Sequence, residues 1–118
     1  MSSMQLGDTF VIEHLWIVIS DPAKHAEKFI IVNLTTDRER AGTECELGMG
    51  DHEWITQKSY VSFGDALEVG RKEELKIIEQ MAAGTIKKHY PMKPAVLQKI
   101  MVAAKTSRSL RIGFRKYF

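Results

Sequence analysis

Two short apolar runs constrain this chain more than any other feature: residues 15–19 (LWIVI) and 29–34 (FIIVNL). Each is too short for a typical helix and is rich in β-branched and aromatic side chains. Neither alternates with polar residues, and that is the pattern of strands buried on both faces. Asp21-Pro22 ends the first run, because proline removes a ladder donor and fixes φ. The polar segment 23–28 is of hairpin or short-loop length, so the two strands are expected to be neighbours. Polar residues stand at their edges: His14 enters the first, and Thr35 and Thr36 leave the second.

The remaining elements arrange themselves around this pair. Gly7-Asp8 is a turn signal ahead of a strand at 9–12, with Glu13-His14 as a bend into the next. Residues 43–47 (TECEL) alternate weakly and read as a strand with Cys45 and Leu47 inward. The turn cluster 48–51 (GMGD) delivers His52 ahead of Trp54 and Ile55. Residues 59–63 (SYVSF) form a strand signal, Gly64-Asp65 a bulge or turn, and 66–69 an extension. The period then becomes helical, with Leu75, Ile78, Met81 and Ala82 on one stripe, Ile77 widening it, and Gly84 at the cap position. Pro91 and Pro94 bound a connector. Pro94 fits the first turn of a second helix over 94–105, with Leu97, Ile100, Met101 and Ala104 on one face. The tail 106–118 admits three forms: a last strand, a docked arm or a partly disordered segment. These elements predict one domain over 1–118: a β part (1–70), a helical part (71–105) and a basic tail (106–118). The fold class is mainly β with C-terminal helices, a small β-barrel or bent antiparallel sheet capped by two helices.

Charge is distributed unevenly. Residues 1–79 hold all 15 acidic residues and 8 Lys+Arg, for −7; residues 80–118 hold 9 Lys+Arg and no acid, for +9. A basic third fits an anionic partner, either RNA, DNA or an acidic protein segment; it equally fits neutralisation of the acidic remainder of the same domain. No apolar run approaches the ~20 residues needed to span a bilayer, so no membrane partner is expected. The N-terminus MSSMQLGD has no basic or apolar leader pattern, and the single cysteine, Cys45, cannot form an intrachain disulfide. Together these features predict a cytoplasmic setting. There is no phosphate-binding glycine loop, no H-E-x-x-H and no zinc spacing, so neither a cofactor nor a metal is expected.

The order GDTFVI, HLWIVIS, FIIVNLTT, then SYVSFGDALEV followed by a helix resembles the MazF/PemK-like toxin family over roughly residues 7–80. The resemblance implies an SH3-like barrel with a C-terminal helix. It implies metal-independent cleavage of single-stranded RNA by a homodimer that a cognate antitoxin neutralises. It places His14 where the family has an arginine, Leu15 at the following proline and Thr35 at the catalytic threonine, with Thr36 beside it. The stretch SYVSFGDALEV offers Asp65 but no arginine.

Cleavage without a metal needs a base, an acid and donors to the phosphoryl group. Histidine suits the first two roles. The candidate catalytic set is therefore His14, Thr35, Thr36, His52 and Ser59, with a His14–His52 pair as its core. The candidate RNA contacts are Lys58, Lys87, Lys88, Arg108, Arg111 and Arg115, with Tyr90, Phe114, Tyr117 and Phe118 available for stacking. Each residue also has a plain structural role open to it: His14 as a strand-edge polar residue, His52 as a turn cap, the threonines as strand formers and the cations as a solvated face. The functional readings are accordingly a ribonuclease toxin; a non-catalytic SH3-like module binding RNA or an acidic partner through its basic third; or a subunit that docks through its aromatic tail.

Overall fold

The two apolar runs are adjacent antiparallel strands at the centre of a six-stranded sheet. The computed structural model describes residues 3–118. Its strands are β1 (Thr9–Ile12), β2 (His14–Val18), β3 (Phe29–Thr35), β4 (Glu46–Leu47), β5 (Ser59–Val69) and β6 (Lys87–His89), in the spatial order β4-β5-β3-β2-β1-β6. A single helical turn, α1 (Arg38–Ala41), and two longer helices, α2 (Arg71–Ala82) and α3 (Pro94–Thr106), complete the chain. The sheet is antiparallel and curls into a half-barrel, the bent-sheet form of the expected mainly-β fold.

Alternation along the strands sorts side chains onto two faces. The inner face carries Leu15, Ile17, Ile30, Val32, Leu34, Val61 and Phe63, and α3 lays Val96, Ile100 and Ala104 against it. The outer face carries Phe10, Val18, Phe29, Ile31 and Val69, against which α2 packs Ile77, Ile78 and Met81. Burial on both sides explains why β2 and β3 lack polar alternation. Each fully buried Leu, Ile or Phe contributes roughly 1.5–3 kcal/mol through removal of apolar area from water.

Of the bulge or turn expected at Gly64-Asp65, the strand takes the bulge, and it is large. Ile31 faces Leu67 but Asn33 faces Ser62, so β5 uses residues 63–66 where β3 uses Val32 alone. The extra length bends β5 and turns Asp65 toward α1, where Arg40 meets it at 3.0 Å.

Three expectations need correction. The 71–105 part is not wholly helical: β6 adds to the edge of β1, pairing Thr9 with His89 and Phe10 with Lys88. Three residues, two of them exposed lysines, carry too little pattern to announce a strand. The stripe of α2 is also turned from the expected one. Glu74 is buried (1% exposed) and Leu75 is 44% exposed. The Glu74 carboxylate accepts from Met4 N at 2.7 Å and Arg71 Nη1 at 2.8 Å, tying the N-terminal segment to α2. Third, α3 buries Val96 as the first residue of its stripe, while Leu97 is only partly buried.

Of the three forms open to the tail, the docked arm is the one adopted. Leu110 and Tyr117 are buried in the inner core, and residues Ile112–Tyr117 form 3-10 turns. Glu44 accepts from Ser107 Oγ (2.8 Å) and Arg108 N (2.7 Å), and Tyr117 donates to Glu68 at 2.5 Å. Partial burial opposes the Glu44 charge, but hydrogen bonds from Arg108, Ser107 and Ser109 outweigh it and hold the carboxyl below its ordinary range. Burial and the Glu68 carboxylate push the Tyr117 phenol up to about 12. The arm runs beside β5, with Ser109 O close to Gly64. No described helix is long and apolar enough to cross a membrane.

The β2–β3 connection ends in a turn whose central residues, Ala26 (φ 54°) and Glu27 (φ 65°), are both left-handed, closed by Lys28 N to His25 O at 3.0 Å. Such turns favour Asn-Gly, because L side chains resist positive φ. Replacing Ala26-Glu27 by Asn-Gly is expected to raise stability by about 1–2 kcal/mol. A urea-unfolding midpoint that stays put or falls would show that the turn is not strained.

Candidate functional site

The outer face of the sheet is only half covered. Beyond α2 it opens as a groove of about 690 Å³ whose floor includes Phe10, Ile31 and Val69 and whose walls include His14, Trp16, Asn33, Arg40, Asp65 and Leu67. Strand register explains who shares it. Phe10 faces Trp16, Ile12 faces His14, and Trp16 faces Asn33 across β2–β3. Continuing that register sets His14 opposite Thr35. His14 and Trp16 are half-buried. Trp16 Nε1 donates to Ile12 O at 3.2 Å, which fixes the indole along the β1–β2 hairpin.

Arg40 reaches the groove from α1, a single turn capped by the Asp37 carboxylate, which accepts from Glu39 N and Arg40 N. Its Nε and Nη2 both contact Asp65 Oδ2, which also accepts from Ser62 Oγ at 2.7 Å. Beside this satisfied cluster lies an unsatisfied group. Asn33 is 2% exposed, and its Oδ1 has no hydrogen-bond partner. A buried, unpaired amide oxygen costs about 1–3 kcal/mol, and few such groups occur in a native structure.

The expected His14–His52 pair does not form. His52 is buried on the inner side of the sheet, its Nδ1 accepting from Trp54 N at 3.0 Å. The ring proton therefore sits on Nε2 and is donated to Tyr90 O at 2.7 Å. His52 thus clamps the 48–55 loop to the segment after β6, the turn-capping role in a long-range form. Ser59 also belongs to the inner side: it is buried, and its hydroxyl donates to Gln57 O at 3.0 Å. Thr35 is buried, its hydroxyl accepting from Asp37 N at 3.1 Å, and Thr36 is exposed. Of the catalytic candidates, His14 is the one that lines the groove.

The candidate cations divide in the same way. Lys58 pairs with Glu46 at 3.3 Å. Arg111 stacks over Phe114 with 5.2 Å to the ring centre, and Arg115 donates to Ser107 O at 2.8 Å, so both serve the arm. Arg108 is exposed, with its backbone N on Glu44. Lys87 and Lys88 are exposed on β6 and flank a different surface. There the Tyr90 side chain is 68% exposed while its carbonyl is held from two sides, by His52 and by Thr9 Oγ1 at 2.6 Å. One hollow of about 430 Å³ beside Tyr90 is lined by Met49, His52, Pro91 and Lys93. Another of about 460 Å³ is lined by Glu53, Lys87, Lys88 and His89. Burial, reinforced by Lys87 and His52, holds the His89 pKa below the ordinary imidazole value. Burial likewise pushes the Cys45 thiol up to about 11, consistent with packing rather than nucleophilic chemistry.

Arg40 and Asn33 are the groove residues that sequence reasoning passed over. Asn33 carried a readable signal, being the one amide inside a run otherwise apolar to its end. Arg40 lay in a segment legible only as charged and exposed. A scan against protein-family models finds no match for this sequence, and a search of curated proteins finds none either.

Two outcomes are expected. Asn33→Leu removes the orphaned oxygen while keeping the volume, and should raise stability by about 1–2 kcal/mol in chemical unfolding; a loss of stability would mean that the amide is paired. His52→Ala should cost about 1–3 kcal/mol and increase amide exchange in residues 48–55. Unchanged exchange there would show that the clamp is not needed.

Proposed function

We propose that this chain binds single-stranded RNA, and that the Tyr90 face is where it does so. The carrying observation is an aromatic side chain, 68% exposed, standing between two hollows whose rims bear Lys87, Lys88 and Lys93. Stacking of a base on an exposed aromatic ring is worth roughly 1–3 kcal/mol and tolerates any base. The ring's backbone is immobilised by Thr9 and His52 and followed by Pro91, so little ordering remains to oppose binding. Lysines on an edge strand suit the phosphates that pass beside such a ring. This is the RNA-binding module reading, with the binding surface narrowed from the basic C-terminal third to β6 and the tyrosine that follows it.

A second reading, the ribonuclease toxin implied by the MazF/PemK-like resemblance, draws support from the groove. His14, Asp65 and Arg40 supply an imidazole, a carboxylate and a guanidinium on one open surface. Those are the groups that metal-free scission of RNA uses as acid, base and stabiliser of phosphoryl charge. In that reading a homodimer and an antitoxin belong to the proposal as well.

Fluorescence anisotropy with a labelled single-stranded RNA separates the parts. Tyr90→Ala should weaken binding roughly 5- to 100-fold while Tyr90→Phe retains it. Lys87→Ala with Lys88→Ala should flatten the salt dependence. Undiminished binding by Tyr90→Ala removes the Tyr90 face from the reading. Incubation with long single-stranded RNA in EDTA tests the second reading: it requires fragments that disappear with His14→Ala and Arg40→Ala.

A further inference from the structure

We propose that the outer-face groove docks a basic, amphipathic segment of a partner protein. The groove shares no lining residue with the hollows beside Tyr90, so the inference stands apart from RNA binding on that face.

Its shape and apolar content come first. Ile12 is 46% exposed and Leu67 51% exposed, both at the groove, with the half-buried Trp16 between β1 and β3. The floor below them is the same apolar layer that α2 covers further along the sheet. The uncovered part is thus a continuation of the core surface, open to an apolar side chain from outside.

The charge at the rim selects what that side chain is attached to. Glu13, Asp65 and Glu73 bring carboxylates to the groove, and Arg40 among its walls is bonded to Asp65. Glu73 accepts a hydrogen bond from Gly70 N and remains at the surface. These carboxylates attract Lys or Arg side chains, and a basic segment here and the RNA of the second reading are alternative occupants of one groove. Glu13 occupies a left-handed conformation (φ 65°) in the one-residue connection between Ile12 and His14, a strained placement that holds its carboxylate at the groove lip.

The Asn33 amide borders the same groove, its Oδ1 buried and without a hydrogen-bond partner. The chain's own basic arm is not the occupant, because Glu44, Glu68 and the inner core hold it in place.

The test uses the full chain and two synthetic peptides of identical apolar content. One has Lys and Arg flanking a Leu-Trp pair; in the other every cation is replaced by Glu. A single-stranded RNA oligonucleotide is the third probe, and amide chemical-shift mapping locates each. The basic peptide is expected to bind in the micromolar range and to shift residues 12–16, 33 and 65–67. Glu13→Gln with Glu73→Gln, which keeps the Gly70 capping bond, should weaken it about tenfold. Leu67→Ser should weaken it by a similar factor, and Tyr90→Ala should leave it unchanged. Equal binding of the Glu peptide, absence of binding by the basic one, shifts outside the groove, RNA in place of peptide at these residues, or self-association that buries them would each overturn the proposal.

Discussion

Strands β2 and β3 bury side chains on both faces, and a sheet with such a centre has to be covered twice. Every later element answers that requirement. The helix α3 and the arm cover the inner face, and α2 covers part of the outer one. A helix of 12 residues is about 18 Å long and cannot shield a curled sheet from end to end. What it leaves uncovered is the groove at His14, Trp16 and Asn33. The candidate site is therefore the remainder of a covering problem as much as a separate construction.

The same geometry separates charge. Lysines of β6 and the tyrosine that follows lie at one edge of the sheet, while carboxylates gather around the outer groove at the bulge of β5 and the lip of the β1–β2 turn. The net charge of +2 conceals these two opposed surfaces. The chain after α3 is tied to Glu44 and Glu68 through the Ser107 hydroxyl, the Arg108 backbone and the Tyr117 phenol rather than through its cations.

How far the sequence was readable follows from the range of the interactions involved. Apolar runs, turn residues and helical spacing are local, and the central strands, the Gly64-Asp65 bulge and both long helices were legible from them. The strand β6 was not, because its place is fixed by pairing with β1 some eighty residues earlier rather than by its own KKH pattern. Nor was the burial of Glu74 over Leu75, which depends on a backbone donor from Met4. The proposed meeting of His14 and His52 failed for a similar reason. Both stand near strand ends in the sequence, yet alternation puts His14 on the outer face, while Tyr90 and Trp54 hold His52 on the inner one. A strand signal tells that a residue is in the sheet; only the register tells which side it serves.

The docked arm has a consequence for how the molecule meets its neighbours. The strand β4 pairs with β5 only at Ser59 and Tyr60, so the rest of β5 has a strand partner on one side only, β3. A long, open strand edge invites another chain to continue the sheet. The arm passes this edge with Ser109 beside Gly64 and Tyr117 on Glu68, in 3-10 turns that offer no ladder of their own. A stretch without β-structure thereby sets the width of the sheet, and keeps the addition of further strands from becoming a route to fibres.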